Sequence, residues 1–300
     1  EVPILPQPPP HPPPPPHPCA RWLYPASDLT GCRDLRGADL RGVDLSYSKL
    51  DFVDFAYARL DGARLYKATL VEASFRGASA VGADLREGSF KDADLTAANF
   101  SAAKLVKADI VAAKLSRADF SGASLQRATL TMLRDAAGPS FAAADMRGAV
   151  LTDSVMPDAS FARADLTGVR VEDVTLERAD FRGAVGLGSV FWLDARLPGS
   201  NLAGTRLDGL SFDGQLQGAD LRNASFRHAT MTRLQAQRVR ASNADFDGAK
   251  LRGANFDGAD LTNATFLGSD LLGATFVGAT CTAVAWAPQN RYSTYFRSPC

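Results

Sequence analysis

From Leu35 to Leu130 every fifth residue is large and apolar, with Ala80 the one exception; the twenty positions hold thirteen Leu, five Phe, Ile110 and Ala80. Two residues before each centre but the first, which follows Arg33, stands a small side chain, Ala in fifteen of the twenty, otherwise Val, Ser or Gly. The unit reads Ala-(Asp/Asn/Thr/Ser/Lys)-(Leu/Phe)-x-x, as in Ala38-Asp39-Leu40-Arg41-Gly42. A period of five matches neither the 3.6 of a helix nor the 2 of a flat strand. It suits a chain that turns a corner every five residues, and a repeat of this kind sets the architecture before anything else is read.

The bulky centre has to point inward, because it is the one large apolar position per unit. The residue two earlier also points inward and must be small, since a narrow coil has room for one large side chain per side. The other three positions carry Asp, Arg, Lys, Gly, Thr and Asn and face water. Core volume balances within coils: undersized Ala80 shares its coil with Phe75 and Phe90, as dense packing requires. At Ala236 and Ala241 the bulk shifts to Leu234 and Val239, so large and small positions are exchanged there.

This pattern, over about residues 33 to 286, resembles the pentapeptide-repeat family, and so many tandem copies are highly specific. The resemblance implies an all-β fold, a right-handed quadrilateral β-helix of about 12 coils. At the ordinary strand spacing of about 4.8 Å the rod is on the order of 60 Å long. The expected organisation is a proline-rich extended arm at 1–18, an N-terminal cap at 19–34, a solenoid at 35–286 and a C-terminal cap at 287–300. The five-residue beat slips three times, at 131–140, 187–197 and 212–216. The slips read as bulges or short loops at a corner rather than domain boundaries, because the beat resumes at once. The second extra residue is expected between Phe191 and Leu197. Phe191 then takes the core position, and Trp192 and Leu193 either fold over a bulge or form an apolar partner contact.

The open ends of a solenoid need covering. Trp22, Leu23 and Tyr24 could cover one end, and Trp286, Tyr292, Tyr295 and Phe296 the other. Only the ends carry cysteine: Cys19 and Cys32, Cys281 and Cys300. A disulfide needs Cα atoms within about 7 Å, and Cys32 and Cys281 sit at opposite ends of the rod. Disulfides, if formed, are therefore Cys19–Cys32 and Cys281–Cys300; otherwise Cys281 is a small core centre and the rest are free thiols. Paired cysteines point to an oxidising compartment, extracellular or secreted. A chain starting at Glu1 fits a mature secreted protein or a trimmed one.

Residues 3 to 18 read PILPQPPPHPPPPPHP. Such a run adopts extended polyproline II, about 3.1 Å per residue. It serves as a spacer, as an arm docking another subunit, or as a hydroxylated, O-glycosylated stalk similar to proline-rich segments of algal and plant extracellular-matrix glycoproteins. Three N-glycosylation triplets occur at outward positions, at Asn99, Asn223 and Asn263, although the repeat itself generates such triplets.

The sequence offers no catalytic, cofactor or metal site. His11 and His17 lie in the arm and His228 at an outward position. No Cys-x-x-Cys, phosphate loop or calcium repeat is present, and no apolar run is long enough to span a membrane as a helix. Some members of the family bind DNA gyrase by imitating duplex DNA, which needs an acidic surface. Here 33 Lys and Arg balance 33 Asp and Glu, well mixed, which fits neither a DNA mimic nor a nucleic-acid binder. Charged residues likewise interrupt every Thr array that an ice-binding face would need. The sequence thus predicts a non-enzymatic structural or interaction protein, a rigid rod serving as subunit of an extracellular filament or matrix. Its partners would be proteins, copies of itself above all, joined through the arm or the rod ends, with glycans as a covalent modification. The alternative is a soluble regulator that binds one protein target through a flat face.

Overall fold

The computed structural model describes Cys19 and residues 22–286. The expected arm at 1–18 and the cap at 287–300, with His11, His17, Tyr292, Tyr295, Phe296 and Cys300, lie outside the described residues.

Each unit is built the same way. The centre's carbonyl accepts the N–H of the residue three later, as in Ala38 N to Leu35 O at 3.1 Å, which closes a turn over the two residues between. The second of these has positive φ, 64° at Gly37 and 67° at Gly42, the arrangement of a type II turn. Flanking residues bond to the next coil: Leu40 N donates to Arg59 O at 2.7 Å, and Arg59 N donates back to Ala38 O at 2.9 Å. In the regular units the peptide groups outside the turn therefore find partners one coil away, which satisfies the backbone without long strands.

Parallel bridges stack the coils into a right-handed quadrilateral β-helix. One face runs Asp39, Arg59, Ser79, Asn99, Asp119, Ser140, Ser160, Asp180, Asn201, Asp220, Arg240, Asp260, Thr280. Short strands appear where a bridge extends: β1 (Asp109–Val111), β2 (Thr129–Thr131), β3 (Val150–Val155), β4 (Arg170–Thr175), β5 (Phe191–Leu193), β6 (Thr265–Phe266) and β7 (Ala285–Trp286). β1 to β5 pair in sequence as one parallel sheet, in which β3 and β4 also continue past a corner at Asp153 and Asp173, and β6 pairs with β7.

The interior is one continuous core of centres and small residues. Phe100, Phe120, Phe141, Phe161 and Phe181 stack with centroids 5.1–5.3 Å apart and planes within 12°. Offset stacking of this kind adds to the burial of each ring. In the coil of Ala80, Phe75 and Phe90 approach to 5.8 Å and fill the space its methyl leaves. Leu234, Ala236, Val239 and Ala241 are all buried, so the exchange of large and small positions holds there.

Register is lost at the slips. Bridges normally link residues 20 apart, but Asp119 pairs with Ser140, Asp180 with Asn201, and Asn201 with Asp220, separations of 21, 21 and 19. A further extra residue lies at the start, where Asp28 pairs with Lys49 and Leu29 is fully buried. The ladder thus begins within the expected N-terminal cap.

The second slip is not where the sequence reading placed it. Leu187 is buried as a centre, six residues after Phe181, so the extra residue falls at Gly186. Trp192 then comes into phase as the next centre, 6% exposed, opposite Val171 in the neighbouring coil. Its ring lies edge-on to Phe181 and Phe212 at 6.3 and 5.9 Å. Phe191 is the residue turned outward, 55% exposed, with the Arg170 guanidinium 5.8 Å above its ring. The proposed contact through Trp192 therefore fails, because the six-residue step comes before Leu187 rather than before Leu197 and shifts the side chains between them by one place. Leu193 is half-buried.

At two insertions an N–H lacks its usual carbonyl and a serine hydroxyl 21 residues downstream accepts it, Leu133 N to Ser154 Oγ and Gly168 N to Ser189 Oγ, both at 3.0 Å, while at the first insertion Ser27 N–H is shared between Ser48 Oγ at 3.2 Å and Tyr24 O at 3.3 Å. Ser27, Ser48 and Ser154 are buried, where an unpartnered N–H would cost about 1–3 kcal/mol. The deletion uses another device. The corner between Phe212 and Leu216 lacks a two-residue turn, so the backbone runs closer to the coil below. A Cβ on Gly214 would lie 2.0 Å from Ala195 O, so not even the usual Ala fits.

Candidate interaction surface

The position before each centre faces water, and Asp or Asn there accepts the N–H two residues on. Asp39, Asp84, Asp94 and Asp119 do so toward Arg41, Arg86, Thr96 and Ser121. This is the local Asx bond that favours these residues at turns, so the carboxylates serve the backbone. Where Arg follows the centre, its guanidinium closes back on the same carboxylate, as Arg86 does on Asp84 at 2.6 Å and Arg222 on Asp220 at 2.7 Å. Hydrogen bonds from Arg41 hold the Asp39 carboxyl at about 2, well below its ordinary value. Arg86, Arg147, Arg182 and Arg222 likewise lower Asp84, Asp145, Asp180 and Asp220, chiefly by side-chain hydrogen bonds. Asp220 is 3% exposed and also holds Arg240 at 2.9 Å. The outer layer is thus a lattice of paired charges.

Among the described residues no cluster of three His, Cys, Asp or Glu could hold a metal, and no helix is long and apolar enough to cross a membrane. His228 is exposed on a corner at φ 57°. Asp173, Asp194 and Asp213 line a surface depression with Arg196 and Gln215.

At the N-terminal end Cys19 and Cys32 form a disulfide, Cα atoms 6.1 Å apart. Cys19 is buried and Leu23 packs against the core, while Trp22 and Tyr24 are 41% and 50% exposed. At the other end Cys281 is disulfide-bonded; its expected partner, Cys300, lies outside the described residues. Trp286 stacks on Phe266 at 4.9 Å, as the last described centre.

The three glycosylation triplets differ in setting. Asn99 is half-buried on a face, its Oδ1 accepting Ser101 N–H. Asn223 and Asn263 are exposed on corners and bracket Asn243 in a ladder, with Asn243 Nδ2 on Asn223 Oδ1 and Asn263 Nδ2 on Asn243 Oδ1, both 3.2 Å.

Exposed large apolar side chains gather near the two ends. Tyr47, Phe52 and Tyr57 occupy three successive corners early in the rod. Leu267, Leu272 and Val277 occupy three successive corners late in it. The bridged columns through Lys49, Asp54, Thr265, Asp270 and Thr275 show that these are corners of one coil at each end. Periodicity showed which positions face outward, but these residues became conspicuous only when exposure was known.

The family model for pentapeptide repeats matches eight copies, at residues 26–56, 48–92, 93–131, 144–183, 215–248 and 241–278. The intervals it leaves, 132–143 and 184–214, fall on the slips. Among curated proteins no match is found. Similar solved structures include a pentapeptide repeat protein of the Arabidopsis thaliana thylakoid lumen, 32% identical over 31% of this chain and 68% of its own, TM-score 0.27. HetL of the cyanobacterium Nostoc sp. strain PCC 7120, involved in heterocyst differentiation regulation, is 26% identical over 82% and 92%, TM-score 0.24. QnrB1, a plasmid-mediated fluoroquinolone resistance protein, is 19% identical over 52% and 74%, TM-score 0.28. At such TM-scores none of these superpositions bears on function. What assigns the chain is the repeat itself, matched by the family model and built coil upon coil in the structure: the protein belongs to the pentapeptide-repeat family.

Proposed function

We propose that this chain is a secreted, non-enzymatic interaction rod, a subunit of an extracellular filament or matrix that assembles with copies of itself through its C-terminal coil. The observation that carries the reading is the trio Leu267, Leu272 and Val277, each about half exposed on adjoining corners, while paired Asp and Arg recur on the outer surface elsewhere, as at Asp39–Arg41, Asp145–Arg147 and Asp220–Arg222. Exposed apolar groups that adjoin one another mark contact sites more than scattered ones do. The disulfides at Cys19–Cys32 and at Cys281 support an oxidising compartment. In a host that glycosylates secreted chains, Asn223 and Asn263 are the more accessible acceptors.

Electron microscopy and light scattering of native material, with intact-mass spectrometry, test this. The expected result is an assembly that Leu267→Asp with Leu272→Asp disperses, oxidised cysteines, and added sugar mass. A monomer with four free thiols would point instead to a soluble regulator of one protein target.

A further inference from the structure

Tyr47, Phe52 and Tyr57 have φ of 61°, 63° and 59°. That region is unfavourable for side chains bearing a Cβ, most of all bulky ones, and corners farther along the same coils carry Gly62, Gly77, Lys67 or Glu72. Nothing in the core requires the three rings, because the adjacent centres Leu45, Leu50 and Phe55 are fully buried. Positive φ is nevertheless the ordinary corner conformation here, shared with Lys67, Glu72, Ala97 and Ala102; what sets these three successive corners apart is the exposed ring each carries.

The rings are also held in place. Tyr57, 67% exposed, lies flat over Gly77, where a Cβ would come within 2.8 Å of its Cε1. Tyr47 meets Tyr66 edge-on at 5.3 Å, and Arg33 sits 5.2 Å over Phe52. The result is two adjoining rod faces, each edged by aromatic rings: Tyr47 and Phe52 around Lys49, Phe52 and Tyr57 around Asp54.

Aromatic walls at the edges of a shallow face are how polyproline II segments are recognised. This chain carries a proline-rich run next to these faces in sequence. Residues 3–18 hold eleven prolines and no Lys or Arg, so they would meet Arg33, Arg36 and Lys49 without cationic repulsion at neutral pH. The arm's root is fixed beside the rings: Cys19 is tied to Cys32, Ala26 N donates to Ser46 O at 2.7 Å, and Ser48 Oγ donates to Tyr24 O at 3.4 Å. Sixteen residues at about 3.1 Å each reach about 50 Å, several times the height of three coils at about 4.8 Å. A tether this short gives millimolar effective concentration, above that of a second molecule's arm.

We propose that the proline-rich arm, residues 3–18, docks on its own rod across the faces edged by Tyr47, Phe52 and Tyr57. This docking is independent of the proposed assembly, which uses the opposite end. The test is X-ray scattering from the full chain and from the triple variant Tyr47→Asn, Phe52→Asn, Tyr57→Asn, at several concentrations. Asn tolerates positive φ, so the variant should fold with an unchanged or raised Tm. The expected result is a parent close to the bare rod in maximum dimension and a variant longer by about 20–50 Å, an arm's length. Equal dimensions would overturn the proposal. So would a parent multimer that the variant alone dissolves, since the arm would then be serving a second copy. In the unmodified chain, Overhauser contacts between proline protons and the Tyr47 and Tyr57 rings should also appear, and their absence would equally overturn it.

Discussion

The coils of Leu35–Leu130 and those of Phe181–Leu216 build the same square cross-section by opposite means. In the first the beat is unbroken, the small position is nearly always Ala, and a glycine such as Gly62 has nothing within 4 Å of where its Cβ would stand. Only its φ of 65° favours glycine, and Ala97, Ala102 and Ala112 adopt the same conformation nearby. In the second the small positions hold Val190, Ala195, Ser200, Thr205, Leu210 and Gly214. Leu197, Leu202, Leu207 and Leu210 line an apolar void with Trp192 and Phe212, and the indole N–H of Trp192 is buried without a partner. A repeat tolerates variation where each side chain meets its own copy above and below. It becomes demanding where unlike side chains must be fitted one by one.

The largest way to probe this difference is to open the uniform core. Phe120→Ala removes one ring from a five-ring stack and should cost about 3–5 kcal/mol in urea unfolding. A loss below about 1 kcal/mol would mean the coils collapse onto the gap. Next, Gly214→Ala should cost about 3 kcal/mol, since the new methyl meets a carbonyl rather than a flexible side chain. Its counterpart Gly62→Ala should cost no more than about 1 kcal/mol. Equal effects would erase the proposed distinction between the two regions.

Ser154→Ala should cost about 1–3 kcal/mol by leaving Leu133 N–H buried and unpartnered, whereas Ser124→Ala, a face residue in the uniform run, should be near neutral. Matching thermal shifts would show that water takes over the role of the hydroxyl. The smallest effect concerns acid. A carboxyl whose folded pKa is lowered adds stability that is complete above its unfolded value near 3.8 and lost as pH falls toward the folded one, about 2 for Asp39. Stability should therefore decline between about pH 4 and pH 2. Hydrogen exchange should rise first around the Asp-centre-Arg units at Asp39, Asp84 and Asp145, and later between Arg182 and Asp220, where that paired pattern does not occur. Uniform loss along the rod would contradict this.

Much of the fold could be read from the chain because each unit repeats one local problem, and the solution is stated dozens of times. The inward centres, the small partners, the Ala80 compensation and the exchange at Leu234 and Val239 all follow from volume per coil. Trp192 was misplaced because a slip is a single event. Sequence marks that one residue is extra between Phe181 and Leu197, but either Phe191 or Trp192 can restore the beat. Only packing against Val171, Phe181 and Phe212 selects the indole. The serine partners were invisible for a related reason, since a hydroxyl at a small position looks like any other small residue until the N–H 21 residues earlier is known to lack its carbonyl.

The sequence by itself determined the period, and with it the square coil, the stacked core, the mixed-charge surface and the placing of cysteine at the ends. These are sums over many equivalent residues, so no single position can mislead. The tertiary structure alone decided what happens where equivalence fails: which residue turns inward at Gly186, how Gly214 clears Ala195, and which rings stand outward on the corners. Those outcomes depend on contacts between residues about twenty apart, in neighbouring coils, where a difference of one ångström decides whether an atom fits.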